Sequence, residues 1–263
     1  MTGEQERGRQ RDKGTRGAVA SLIHSFTQVS WYKKVKIADQ IWLFALCLVP
    51  FTFSSGSVFA ATSANEYRAL GLSYRASERY PEAIAALKKS VELEPRNSSG
   101  RVLLGWTQHL AGQENAATWS LLQALYVKPV TVPALNALGI VYLVSGQLNA
   151  AVFVHTWAAI LEPKNEIPYY NLALAFHRLQ SYDLAIATAK KAAVLEPSNP
   201  HPIVALAIAY WDKGDRTFAK RIYHRAQNLD SRYMNSAFLV ELQKAGFSSN
   251  QIQTAESILS ALD

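Results

Sequence analysis

Three independent series of residues recur at intervals of 34. Leu70-Gly71, Leu104-Gly105 and Leu138-Gly139 form the first, continued by Leu172-Ala173 and Leu206-Ala207. Pro95, Pro129, Pro163 and Pro197 form the second, and Ala83, Ala117, Ala151, Ala185 and Ala219 the third. A fixed period of this length marks a stack of similar supersecondary units, none of which can bury its apolar face alone. Within each unit the apolar residues follow a 3.6-residue period twice. The pattern breaks once at a turn, which holds Gly112, Gly146 or Gly214 in three of the units, and once beside the proline, so each unit is a helical hairpin. A side chain as small as glycine or alanine is wanted where two helices cross closely. Proline ends the second helix or opens the next, because it has no amide to donate and clashes with the preceding turn. Tyr74, Tyr142, Phe176 and Tyr210 are expected to fill the space opposite the small residue.

At these positions the chain resembles the tetratricopeptide repeat (TPR) family, whose pattern W-x2-L-G-x2-Y, then A-x3-F, then P is followed in register. The departures are specific: the opening tryptophan is replaced by Tyr67, Arg101, Leu135, Tyr169 and Ile203, and Ser231 stands where a fifth proline is expected. Arg101 departs most. The resemblance implies an all-α fold, a right-handed α-solenoid of helical hairpins, with five repeats over residues 64–233. Residues 234–263 are expected to form a C-terminal capping helix pair that covers the last exposed interface. Its second helix opens with a capping box, Ser248 and Gln251, and buries Ile252, Ala255, Ile258, Leu259 and Leu262.

The segment before the repeats has a different composition. Residues 1–40 read as a basic, largely disordered tail or n-region, with Arg7, Arg9, Arg11, Lys13 and Arg16 among almost no apolar residues. Between Asp39 and Glu66 lie 26 uncharged residues whose apolar centre runs from Ile41 to Phe53. Residues 41–61 therefore read as the h- and c-region of a signal peptide, cleaved between Ala60 and Ala61, or as a transmembrane anchor if uncleaved. In either case Lys33, Lys34 and Lys36 hold the preceding end in the cytoplasm, and the repeats are exported to a periplasmic or thylakoid-lumenal side. The chain's net charge of +7 is dilute: residues 1–60 carry 8 basic and 4 acidic side chains of the total 27 and 20, leaving +3 for the rest. Nucleic acid is not an expected partner. With one cysteine, Cys47, neither an intramolecular disulfide nor a paired-thiolate zinc motif can form.

In the family, the first helix of each hairpin lines a concave groove, and the register then implies three ligand-facing rows. One holds Leu72, Trp106, Ile140, Leu174 and Ile208. A second holds Arg75, His109, Leu143, His177 and Trp211, and a third holds Arg68, Val102, Asn136, Tyr170 and Val204. The rows describe an apolar, aromatic groove with arginines at one end, suited to a helix or extended segment of another protein. A carboxylate clamp is not expected, because Leu72, Leu103, Pro133 and Ala137 stand where its polar residues would be. His109, His177 and His201 fall in separate repeats, so neither a metal nor any other cofactor is expected. His155 is expected to be a buried, hydrogen-bonded core residue. Lysines such as Lys88, Lys89, Lys190 and Lys191 mark the second helices as a solvated convex face. No paired carboxylates, phosphate loop or nucleophile-base arrangement suggests an enzyme. The expected function is a non-catalytic scaffold or adaptor, exported or membrane-anchored, that assists assembly of an envelope complex such as a photosynthetic one. A self-associating structural protein and a substrate-recruiting module for an envelope enzyme are the alternatives.

Overall fold

The computed structural model describes residues 63–262. Ten helices alternate in five hairpins: α1 (Ala64–Ala76) with α2 (Tyr80–Leu93), α3 (Ser98–Leu110) with α4 (Glu114–Val127), α5 (Val132–Val144) with α6 (Leu148–Leu161), α7 (Glu166–Arg178) with α8 (Tyr182–Leu195), and α9 (Pro200–Lys213) with α10 (Arg216–Leu229). Each second helix packs on the first helix of the next hairpin, and α3, α5, α7 and α9 also touch in succession. The first helices of hairpins two to five thus form one continuous layer, with each second helix packed between successive first helices, as in an α-solenoid.

The junctions between hairpins are written in four residues. Glu94, Lys128, Glu162 and Glu196 leave the helical region at each second helix's end, as a residue preceding proline must. The turn closes when the amide three residues on donates back to that carbonyl: Asn97 to Glu94 and Asn165 to Glu162 at 3.0 Å, Asn199 to Glu196 at 3.3 Å. The same asparagines then cap the following helix, their side chains accepting from the amides of Gly100, Ile167 and His201. In the second junction Thr131 replaces asparagine, and its hydroxyl donates to the Lys128 carbonyl instead of capping α5.

Inside each hairpin the crossing is closer than the pattern of large residues suggests. A Cβ added to Gly71 would lie 2.6 Å from Leu87 Cγ, and one on Gly105 would lie 2.7 Å from Leu121 Cγ. At Gly139 the neighbour is the His155 ring, with Nε2 only 2.4 Å from the added atom. The space over the small residue is therefore filled from the second helix by Leu87, Leu121 and His155, all fully buried. This corrects the assignment to Tyr74, Tyr142, Phe176 and Tyr210, which are half-exposed. Gln108 stands where the repeat has Tyr74 and Tyr142, and is buried with Ser120 Oγ donating to it at 2.7 Å. His155 is a core residue, but not a hydrogen-bonded one: neither ring nitrogen has a partner. Burial pushes its pKa down to about 3, against a smaller upward pull from the Gly139 backbone beneath the ring.

After α10 the chain makes a 3-10 turn (Ser231–Met234), the short α11 (Ser236–Leu239), a second 3-10 segment (Val240–Ala245) and α12 (Ser249–Ser260). The capping box of Ser248 and Gln251 opens α12. Instead of only closing the end of the array, this segment folds back over its first helices. α12 packs on α9 and α10. Its Gln251 amide donates to the Leu174 carbonyl of α7 at 3.2 Å, and Tyr170 donates to the Ala245 carbonyl at 2.5 Å. One apolar core joins Leu143, Leu174, Val204 and Ile208 to Leu242, Phe247, Ile252 and Ile258.

No helix among the described residues is long and apolar enough to cross a membrane, which corrects the expectation of a transmembrane segment. Residues 1–40, the apolar stretch 41–61 and the Ala60-Ala61 cleavage site lie outside the described residues.

Two substitutions test the crossing. Gly105→Leu forces a branched side chain into Leu121 and the Ala117 carbonyl, and should unfold the second hairpin locally, at a cost of about 3 kcal/mol or more in a urea titration. His155→Leu restores the side chain that Gly71 and Gly105 already face and removes two orphaned nitrogens. It should stabilise the array by about 1 to 2 kcal/mol in the same measurement.

Candidate protein-binding groove

The predicted rows divide at the middle of the array. Toward the C terminus, Leu143, Leu174, Val204 and Ile208 are at most 1% exposed. They are core under the C-terminal segment and line no open groove, which corrects their assignment to a ligand surface. His177, on the same side, is locked in place. Gln251 donates to its Nδ1 at 3.2 Å and its Nε2 faces Asp212 Oδ2 at 2.8 Å, so the imidazole bridges α7, α9 and α12. Thr254 of α12 donates to the same Asp212 oxygen at 3.2 Å. Trp211 is half-buried against this core, and Arg216 lies over its ring at 5.0 Å.

Tyr170 and His201 belong to an aromatic cluster that fastens the fold-back. Tyr170 stacks on His201 at 6.4 Å and meets the Phe247 ring at 6.1 Å. The Tyr233 hydroxyl and His201 Nδ1 share a hydrogen bond of 2.6 Å. Burial holds the His201 pKa down to about 4, and burial likewise pushes the Tyr170 and Tyr233 hydroxyls above their usual range.

Toward the N terminus the rows stay partly open. Leu72, Trp106 and Ile140 keep intermediate exposure on α1, α3 and α5, while Val102 and Asn136 are buried beside them. His109 lies against the Trp106 ring at 5.1 Å, with its Nδ1 2.8 Å from Glu114 Oε2. Of the two arginines, Arg68 is already engaged, donating to Glu94 at 2.8 Å and to Ser90 at 3.2 Å. The expected arginine end is therefore carried by Arg75. Desolvation lowers the Arg75 pKa, and its buried Nη1 has no hydrogen-bond partner. Asn136 Oδ1 is likewise buried and unpartnered. One orphaned donor and one orphaned acceptor thus accompany the open apolar rows. Among the described residues no group of three or more His, Cys, Asp or Glu is placed to hold a metal ion.

Tetratricopeptide repeat models match residues 64–97 and 136–200. These two segments carry tetratricopeptide repeats. The matched segments leave out residues 98–135, where Arg101 and Gln108 depart from the pattern. Solved structures with the same arrangement include a crystal structure of MamA, 24% identical, covering 64% of this chain and 92% of that one with a TM-score of 0.57. Another is MamA from Desulfovibrio magneticus RS-1, 21% identical over 65% of this chain and 97% of that one, with a TM-score of 0.60. A third is TTC0263, a thermophilic TPR protein of Thermus thermophilus, 22% identical over 70% and 98% with a TM-score of 0.55. These likenesses show the fold. No curated protein gives a significant match.

The two neutral histidines make stability pH-dependent. Unfolded, each imidazole takes a proton near its ordinary value of about 6.5. Folded, His155 and His201 do so only near 3 and 4. The unfolded chain therefore binds more protons as pH falls through this interval, and stability is lost on acidification. Each histidine should contribute a slope of about 1.4 kcal/mol per pH unit between roughly 6 and 5. Urea titrations across that range should show it, and His155→Leu should remove about half.

Proposed function

We propose that this protein is a non-catalytic scaffold whose five hairpins act as five repeats and hold an apolar segment of another protein on α1, α3 and α5. The observation that carries this reading is the chain's own C-terminal segment. Residues 236–260 dock on the first helices of hairpins four and five by burying Phe247 and Ile252 and by taking a hydrogen bond from Tyr170 to a backbone carbonyl. The same register continues through Leu72, Trp106 and Ile140, which keep intermediate exposure. A bound segment would gain affinity from apolar anchors, with Arg75 at the end of the rows favouring an acidic or carbonyl-rich neighbour.

Export remains part of this proposal through the leader-like sequence at 41–61, and intact mass of the native protein tests it. A first residue of Ala61 supports processing, and a retained Met1 counts against it.

The groove reading is tested by panning a peptide library against the full chain. Selected peptides should share two or three apolar anchors. Trp106→Ala combined with Ile140→Ala should weaken their binding at least about tenfold, or about 1.4 kcal/mol, with the melting temperature nearly unchanged. Equal binding by the variant, or loss of its helicity, would place these side chains outside a ligand surface.

A further inference from the structure

The 34-residue register also determines which side chains of the second helices face outward, and their chemistry changes abruptly along the array. In α2 the outward positions include Lys88 and Glu92, with Lys89 paired to Glu92 at 3.0 Å. In α10 they include Arg221 and Arg225, both exposed. At the equivalent positions α4 carries Trp119 and Tyr126, and α6 carries Phe153, Trp157 and Ile160. These are 66% and 84%, then 70%, 46% and 69% exposed. No Asp, Glu, Lys or Arg occurs between Lys128 and Glu162, so α6 is uncharged all round. A helix of that composition is normally covered on every side.

The two stripes share one register. Trp119 and Phe153 are 34 residues apart, as are Tyr126 and Ile160, so the α4 and α6 stripes occupy equivalent outward positions on neighbouring units. With about 150 to 250 Å² per aromatic side chain, the four rings at their observed exposures present on the order of 500 Å². Ile160 of α6 and Leu122 of α4, the latter 41% exposed, extend the patch toward the roughly 800 Å² each partner contributes to a standard interface. The largest apolar patch on an ordinary monomer is about 300 to 600 Å².

We infer that this convex face of α4 and α6 pairs with the same face of a second copy of the chain. The face offers no charged side chain, so a partner surface carrying charge would be desolvated against it without compensation. The face itself meets that requirement. A two-fold axis brings identical patches together, and ridges of large side chains on two helices in one register can interdigitate with their copies. Homodimer interfaces are the more apolar class. This pairing uses the layer of second helices and is independent of the groove on the first helices.

Sedimentation equilibrium of the full chain between about 1 and 100 μM, a span bracketing ordinary micromolar affinities, tests the inference. The wild-type chain should be dimeric over most of this range. Phe153→Asp and, separately, Tyr126→Lys should each weaken association at least about tenfold, with melting temperatures close to wild type because both sites are exposed. Trp106→Ala with Ile140→Ala should leave the dimer unchanged. A wild-type chain that stays monomeric throughout would overturn the self-pairing and leave the face to a different protein. Association that survives unchanged in both charged variants would overturn it by assigning the contact to other residues.

Discussion

The array depends on how closely two helices can approach within each hairpin. At Gly71, Gly105 and Gly139 the first helix has no side chain, and Leu87, Leu121 or His155 of the second helix rests on its bare backbone. Every larger feature inherits that spacing. The layers of first and second helices are set by it, and so are the rows of side chains that the first helices present. The third crossing shows that this geometry tolerates a chemical misfit. An imidazole with two unpaired nitrogens occupies the place of a leucine, held neutral because the surrounding packing excludes both water and charge.

The two ends of the first-helix layer are in different states. Over hairpins four and five the layer is closed by the chain itself, through the Tyr170, His201, Phe247 and Tyr233 cluster and the Gln251 bridge to α7. Over hairpins one to three it keeps apolar side chains in partial contact with solvent, together with a buried guanidinium nitrogen and a buried amide oxygen that no neighbour satisfies. Arg68 and His109 carry charge-capable groups there, but each already faces a carboxylate, Glu94 or Glu114. Arg75 is the exception, and the polarity of the open half rests on it.

Much of the architecture was legible in the residues. The period of 34 located the hairpins, the prolines located their junctions, and Ser248 with Gln251 announced the last helix. What sequence reasoning missed came from contacts beyond one repeat. The Gln251 capping box is local, but its remaining amide donor finds a carbonyl 77 residues away, and no spacing rule identifies that partner. The burial of Leu174 and Ile208 follows from the same fold-back, so two rows that were continuous in register became half core. The conspicuous aromatic series lies on the first helices, whereas the Leu87, Leu121 and His155 series that meets the glycines has mixed chemistry and carries no comparable signal. The apolar convex face had a signal available: the uncharged run from Pro129 to Leu161, with Trp119 and Phe153 one period apart. Lysines on neighbouring helices had suggested that all second helices are alike.

The junction at Lys128 to Thr131 is the array's least clasped joint. Its counterparts at Asn97, Asn165 and Asn199 are clasped by an asparagine that both closes the turn and caps the next helix. Thr131 donates its hydroxyl to the turn, where Ser98 Oγ also meets it at 3.5 Å, and α5 begins uncapped with buried Val132 and then proline. The turn still closes through the same backbone bond, from the Thr131 amide to the Lys128 carbonyl at 3.2 Å. The joint between α4 and α5 therefore lacks only the side-chain cap, a contribution of about 1 kcal/mol that the other three joints retain.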